Sequence, residues 1–141
     1  TKQYDAIAPW RADLTFPCTR RSRIVAGTPF FRLREAEGEP NTETRIDVSE
    51  VSGTLARYRL TPVTGRKHQL RVHMAALGLP IVNDRFYPML VDCADNDFSR
   101  PLQLLARSIA FVDPVIGQAR RFESARRLSL DSAHDSGTLR P

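Results

Sequence analysis

"TPVTGRKHQLRVHMAALGLPIVNDRFYP", Thr61 to Pro88, decides how the fold is read. It sets Arg66, Lys67, His68, Arg71 and His73 around Leu70, Met74 and Leu77, apolar residues at the i, i+4, i+7 spacing of a helix. The spacing predicts a helix over 66–77, with Thr64 as N-cap and Gly78 just past its end, where glycine accepts a left-handed turn. Cations at a helix N-terminus oppose the macrodipole, so charge placed there makes more sense if an anion occupies that end. A strand–turn–helix whose basic first turn has no function stays open beside that reading.

Upstream, "TETRIDVSEV" puts Thr42, Thr44, Ile46 and Val48 on one face, and "TLARYRLTPV" does the same with Ala56, Tyr58 and Leu60. Ser52-Gly53 breaks the chain between them, which predicts an antiparallel hairpin. "TKQYDAIA" reads as a strand with Tyr4, Ala6 and Ala8 on one face. From Pro9 to Pro40 the pattern is irregular, either a surface loop or short edge strands. The basic cluster "TRRSR" (Arg20, Arg21, Arg23) in that stretch is either a solvated face or a track for a polyanion. Downstream, "LQLLARSIAF" predicts a buried strand, "DPVIG" a turn, and "QARRFES" a strand pairing back. From Leu130 onward the residues are small and polar, as in a frayed tail. The expected class is α+β, a mainly antiparallel mixed sheet with flanking helices.

A chain of 141 residues can hold one domain with a modest core. Its 21 Lys and Arg against 16 Asp and Glu, a net charge of +5, permit a nucleic-acid partner without establishing one. Lys2 and Lys67 are the only lysines; arginine suits forked contacts to phosphate and stacking on bases, though a GC-rich genome gives the same bias. Cys18 and Cys93 lie too far apart for a disulfide framework or zinc knuckle, which points to the reducing cytoplasm. No apolar run approaches the ~18 residues of a membrane span. His68 and His73 are five apart and diverge on a helix, which argues against a metal site. "TGRK" lacks P-loop spacing, and no G-x-S-x-G nucleophile elbow occurs. No cofactor or metal is expected, and the chain is expected to be monomeric.

The order of residues is more specific than the periodicity. L-T-P-V-T-G-R-K-H-Q-L-R-V-H, followed by G-L-P-I-V-N-D-R-F-Y, resembles the signature of the RluA family of RNA pseudouridine synthases. Asn83 stands where that family usually has glycine. K-Q-Y-D-A at Lys2–Ala6 resembles its K-x-Y-x-A strand. L-Q-L-L-A-R-S-I-A-F-V-D-P at Leu102–Pro114 resembles its L-x-L-H-A-x-x-L-x-F-x-H-P segment, with Leu105 and Asp113 in place of the two histidines. The family's nucleophilic aspartate lies in an H-R-L-D motif before K-x-Y-x-A, and this chain begins at K-x-Y-x-A, on Thr1 rather than methionine. Residues 1–128 are therefore expected to be the C-terminal part of a catalytic domain, and 129–141 a flexible tail.

The resemblance implies a chemistry. A uridine in structured rRNA or tRNA is flipped into a pocket and rejoined to its sugar through C5, by way of a covalent adduct with the absent aspartate. Arg71 would pair with that aspartate and Tyr4 would pack on the uracil and take the C5 proton, while Leu104 would be an apolar wall. Arg66, Lys67 and His68 would contact the RNA backbone, with Arg20, Arg21 and Arg23 extending the track. The chain alone is expected to be inactive. A non-catalytic RNA-binding relic of the same fold, or a basic domain with no nucleic-acid role, are the other readings.

Overall fold

The structure, a computed structural model, describes residues 1–29, 31–91 and 100–130. Its elements run β1 (Lys2–Pro9), β2 (Cys18–Ala26), β3 (Leu33–Ala36), β4 (Thr42–Ser52), β5 (Leu55–Pro62), α1 (Gln69–Ala76), β6 (Leu104–Val112) and β7 (Ala119–Glu123). The strands form one seven-stranded sheet, ordered β3-β2-β4-β5-β1-β6-β7. Every neighbouring pair is antiparallel, so the sheet is not mixed, and α1 is the one helix that lies wholly within the described residues.

The alternation in β4 and β5 sets the core. Ile46 pairs with Leu60 and Val48 with Tyr58, placing their side chains on the face that α1 covers. Ala6, Ala8, Ile46, Ala56, Tyr58, Leu60, Leu70 and Met74 close into one cluster there. The Tyr58 phenol donates to the Pro9 carbonyl at 2.6 Å, so the largest buried side chain leaves no stranded hydroxyl. Interior strand β1 is buried on both faces. Asp5 and Ile7 point away from α1, and Ile7 packs there with Leu128 and Leu130. Leu130, which the sequence places in the tail, is thus part of the packed molecule; residues 131–141 lie outside those described.

The irregular stretch resolves into two strands, and β2 is interior. Its apolar alternation is broken because two of its α1-side residues, Arg20 and Ser22, between Cys18 and Ile24, are satisfied by polar partners instead of by a hydrophobic layer.

Helix α1 begins three residues later than its spacing predicts. His68, at the N-cap position, sits at φ 56, a left-handed conformation that cannot continue a helix, so Arg66 and Lys67 stay in the preceding turn. The macrodipole argument for an anion beside them therefore loses its basis. Thr64 does not cap; its hydroxyl donates to Gln69 Oε1 at 2.6 Å. The other end follows expectation. Gly78 takes φ 76 and donates to the Ala75 carbonyl, while Leu79 donates to Met74, the paired bonds of a Schellman stop.

Candidate active site

Strand β1, the turn after β5, the first turn of α1 and the start of β6 enclose a cavity of about 590 Å³. That lies within the ~300–1,000 Å³ of small-molecule sites. Tyr4, Leu104 and Arg71 all line it, although they come from three elements. Tyr4 and Leu104 supply apolar wall on the sheet side, and Thr64, Gly65, Arg66 and His68 form the side toward the helix. Leu105, where the family has histidine, pairs with Asp5 on the opposite face, so that departure does not touch the cavity. Asp5 itself is buried away from the cavity, with Arg107 Nη1 donating to its Oδ2 at 3.0 Å.

Arg71 is the most constrained cation of the site. Its Nε and Nη2 donate to Asp84 at 3.0 and 2.7 Å. Its guanidinium carbon lies 4.7 Å from the centre of the Phe86 ring and 5.5 Å from that of Tyr87. Asp84 is almost wholly enclosed, its side chain 1% exposed, and its Oδ1 also accepts the backbone N–H groups of Phe86 and Tyr87. The family resemblance gives Arg71 a carboxylate from outside the chain, whereas the fold also gives it one from within, Asp84. The signal was present in the quoted N-D-R-F-Y, where an aspartate follows Arg71 at loop distance.

Asn83 before it adopts φ 67 and donates from Nδ2 to the Pro101 carbonyl at 2.9 Å. The family's glycine position is thus a left-handed one, and asparagine is among the residues that tolerate it.

A buried polar chain supports the turn that forms the cavity's rim. Gln69 Oε1 accepts from the Thr64 hydroxyl and the Arg66 N–H, and its Nε2 donates to the Glu43 carbonyl and Thr44 Oγ1. Beyond Thr44 stands His73, fully buried, with Nδ1 2.8 Å from Thr44 Oγ1 and Nε2 within 3.0 Å of Ser22 and Thr42. Thr42 spends its proton on the Ser22 carbonyl and Ser22 bonds Glu35, so the proton accounting puts hydrogen on Nε2. Burial pushes the His73 pKa down to about 4; nearby Glu35 opposes that and Arg20 adds to it. The imidazole is neutral, and its 4.0 Å approach to Glu35 is not an ion pair at neutral pH.

The remaining basic residues separate. Arg66 and Lys67 are exposed, and among the described residues neither has a carboxylate within 4 Å. His68 is half-buried, its Nδ1 3.0 Å from the Tyr87 hydroxyl and its ring against Phe86. Burial, then the charges of Arg71 and Lys67, hold its pKa below the usual histidine range, so it adds no positive charge near neutral pH. The arginines of β2 do not form one track. Arg20 lies on the α1 side, bonded to Glu35, while Arg21 lies on the opposite face, bonded to Glu43 at 2.8 Å. Arg23 shares the face of Arg21 and is exposed.

The profile of the RNA pseudouridylate synthase family matches residues 1–76, more than half of the chain, and the chain belongs to that family. Within it, the chain is 52% identical over 87 residues to the dual-specificity RNA pseudouridine synthase RluA of Vibrio parahaemolyticus. It is 42% identical over 89 residues to the RluA enzyme of Salmonella typhimurium. Those alignments take in 62% and 61% of this chain but 29% and 38% of the relatives, so the chain spans well under half of their length. The solved structure of human RNA pseudouridylate synthase domain containing 1 superposes with a TM-score of 0.68 at 23% identity, over 99% of this chain and 66% of that one. The human domain-containing 4 protein gives 0.62 at 20% identity, covering 98% and 61%. These two establish the likeness of fold.

Proposed function

We propose that this chain supplies the base-holding half of an RNA pseudouridine synthase site, with the nucleophilic aspartate contributed by sequence outside it. One observation carries the reading: Tyr4, Leu104 and Arg71 converge on a single cavity. In it a flipped uracil lies against Tyr4 and Leu104. The incoming aspartate, oriented by Arg71, forms the covalent adduct that lets the base detach, turn and rejoin through C5. In this reading Tyr4 takes the C5 proton. Arg66, which lines the cavity, and its exposed neighbour Lys67 bind flanking phosphates. His68, neutral and facing Tyr87, shapes the rim instead. The substrate is a structured rRNA or tRNA, acted on in the cytoplasm by a monomer that uses no metal.

The test joins the N-terminal part of the Vibrio relative, through its own aspartate motif, to Thr1 of this chain. Tritium release from C5-labelled uridine in RNA is then measured for the chimera and for the chain alone. Release from the chimera only is the expected result, and Arg71→Lys in the chimera should abolish most of it, since lysine keeps the charge but not the fork. Turnover by the chain alone would overturn the assignment of the nucleophile. A chimera that binds RNA in a salt-dependent way without turnover would leave the non-catalytic relic as the better reading.

A further inference from the structure

We propose that Asp84 is a positioning residue, which clamps Arg71 by one edge so that the other edge faces the cavity and receives a carboxylate. The inference rests on the reading above for what that carboxylate is, but not for the clamp itself. A guanidinium carries five N–H groups in a rigid plane. Asp84 engages Nε and Nη2, the side-on edge. Arg71 also lines the cavity, so the end-on edge, formed by Nη1 and the second proton of Nη2, is the fork left for a ligand there.

Three features make the clamp stiff. Asp84 is enclosed and receives the N–H groups of Phe86 and Tyr87, which fixes its carboxylate plane. Phe86 and Tyr87 flank the guanidinium, which limits its swing. Tyr87 is in turn pinned, its hydroxyl accepting the Leu33 N–H at 2.8 Å and lying 3.0 Å from His68 Nδ1. A bidentate pair gives direction as well as attraction. A lone arginine at the rim would sweep several orientations; this one can offer its second fork in one.

The experiment is nitrogen and proton NMR of the Arg71 side chain in the intact 141-residue chain. A guanidinium held on one edge stops turning about its Nε–Cζ bond, so its Nη protons should give separate resonances in the wild type. Asp84→Asn keeps the shape but turns one acceptor into a donor, and the Arg71 Nη signals should coalesce while circular dichroism stays unchanged. Phe86→Leu, which keeps Asp84, should leave them resolved. Coalesced signals in the wild type, or signals still resolved in Asp84→Asn, overturn the proposal; the wild-type result decides even if that variant does not fold. In the chimera, Asp84→Asn should lower the single-turnover rate on the order of 10²-fold, the scale of a misplaced catalytic group. RNA affinity should stay within a few-fold. An unchanged rate would show that Asp84 merely holds the loop. An inactive wild-type chimera would count against the enzyme reading, while the NMR result would still decide on the clamp.

Discussion

Strand β2 carries Arg20, Arg21 and Arg23 within four residues, and the turn before α1 carries Arg66 and Lys67 side by side. In sequence the two regions look alike. In the fold, Arg20 and Arg21 each close on a glutamate and point to opposite faces, whereas Arg66 and Lys67 stand exposed beside a cavity. A basic run is therefore no measure of affinity for RNA. What counts is whether each cation already has a carboxylate and whether neighbouring cations share a face. Arg71 is the limiting case: paired on one edge, enclosed by rings, yet still lining the cavity.

The sharpest way to test the distinction is Arg71→Ala. Leu70, Met74 and Leu77 carry the apolar packing of the helix, but the substitution strands the enclosed carboxylate of Asp84. Breaking a buried pair from one side costs about 3–5 kcal/mol. Urea denaturation should show that loss, and Arg71→Ala combined with Asp84→Asn should recover a good part of it by removing the stranded charge. Arg21→Ala, which removes an exposed guanidinium from a half-buried glutamate, should cost less, about 1 kcal/mol. Equal losses at the two positions would erase the comparison.

How far the sequence could be read follows from the same contrast. The β4–β5 hairpin and the end of α1 were legible because alternation and a C′ glycine act locally, through residues adjacent in the chain. Tyr4, Leu104 and Arg71, which share the cavity, could be singled out because each sits inside a motif quoted from a family. Strand β2 was not, since two of its inward side chains, Arg20 and Ser22, are polar and interrupt the apolar alternation of Cys18 and Ile24, and their partners, Glu35 and His73, are distant in sequence. The late start of α1 was not legible either. Helical spacing runs through His68, and only the left-handed backbone there ends it.

The polar chain under α1 makes a pH prediction. His73 is neutral in the fold with a pKa of about 4 against 6.5 when free, so the unfolded chain binds a proton that the folded one refuses. Stability from this group is complete above pH 6.5 and is lost as pH falls toward 4, by about 3 kcal/mol in all. Between pH 6.5 and 5, before carboxylates contribute much, the slope of unfolding free energy should approach about 1.4 kcal/mol per pH unit. His73→Gln should be less stable at neutral pH and should lose most of that slope, the remainder coming from His68, whose pKa burial also lowers. A wild-type protein with flat stability over this range would show that water reaches the imidazole.

RNA binding tests the two basic regions directly. Arg66→Ala with Lys67→Ala should weaken binding alike across RNA sequences and reduce the salt slope by roughly 1.4, at ~0.7 per phosphate contact on single strands. Arg20→Ala with Arg21→Ala should leave that slope nearly unchanged, since both guanidinium groups are already engaged by glutamates. A slope that falls as much for β2 as for the turn would restore the continuous track that the register of β2 and β4 separates.

The smallest effect is expected at Asn83, where the chain departs from its family beside the Arg71 clamp. Its φ of 67 suits glycine best, but its side chain also ties the turn to the Pro101 carbonyl. Asn83→Gly should therefore be nearly neutral, gaining backbone ease and losing one exposed hydrogen bond of ~0.5–1.5 kcal/mol. Asn83→Ala loses the bond and keeps the left-handed strain, which for an ordinary residue is roughly 1–2 kcal/mol, so it should be the less stable of the two. Thermal unfolding of both variants gives the order. If alanine equals glycine there, the turn does not depend on that conformation, and the position of Asp84 next to it must be set by Phe86 and Tyr87 alone.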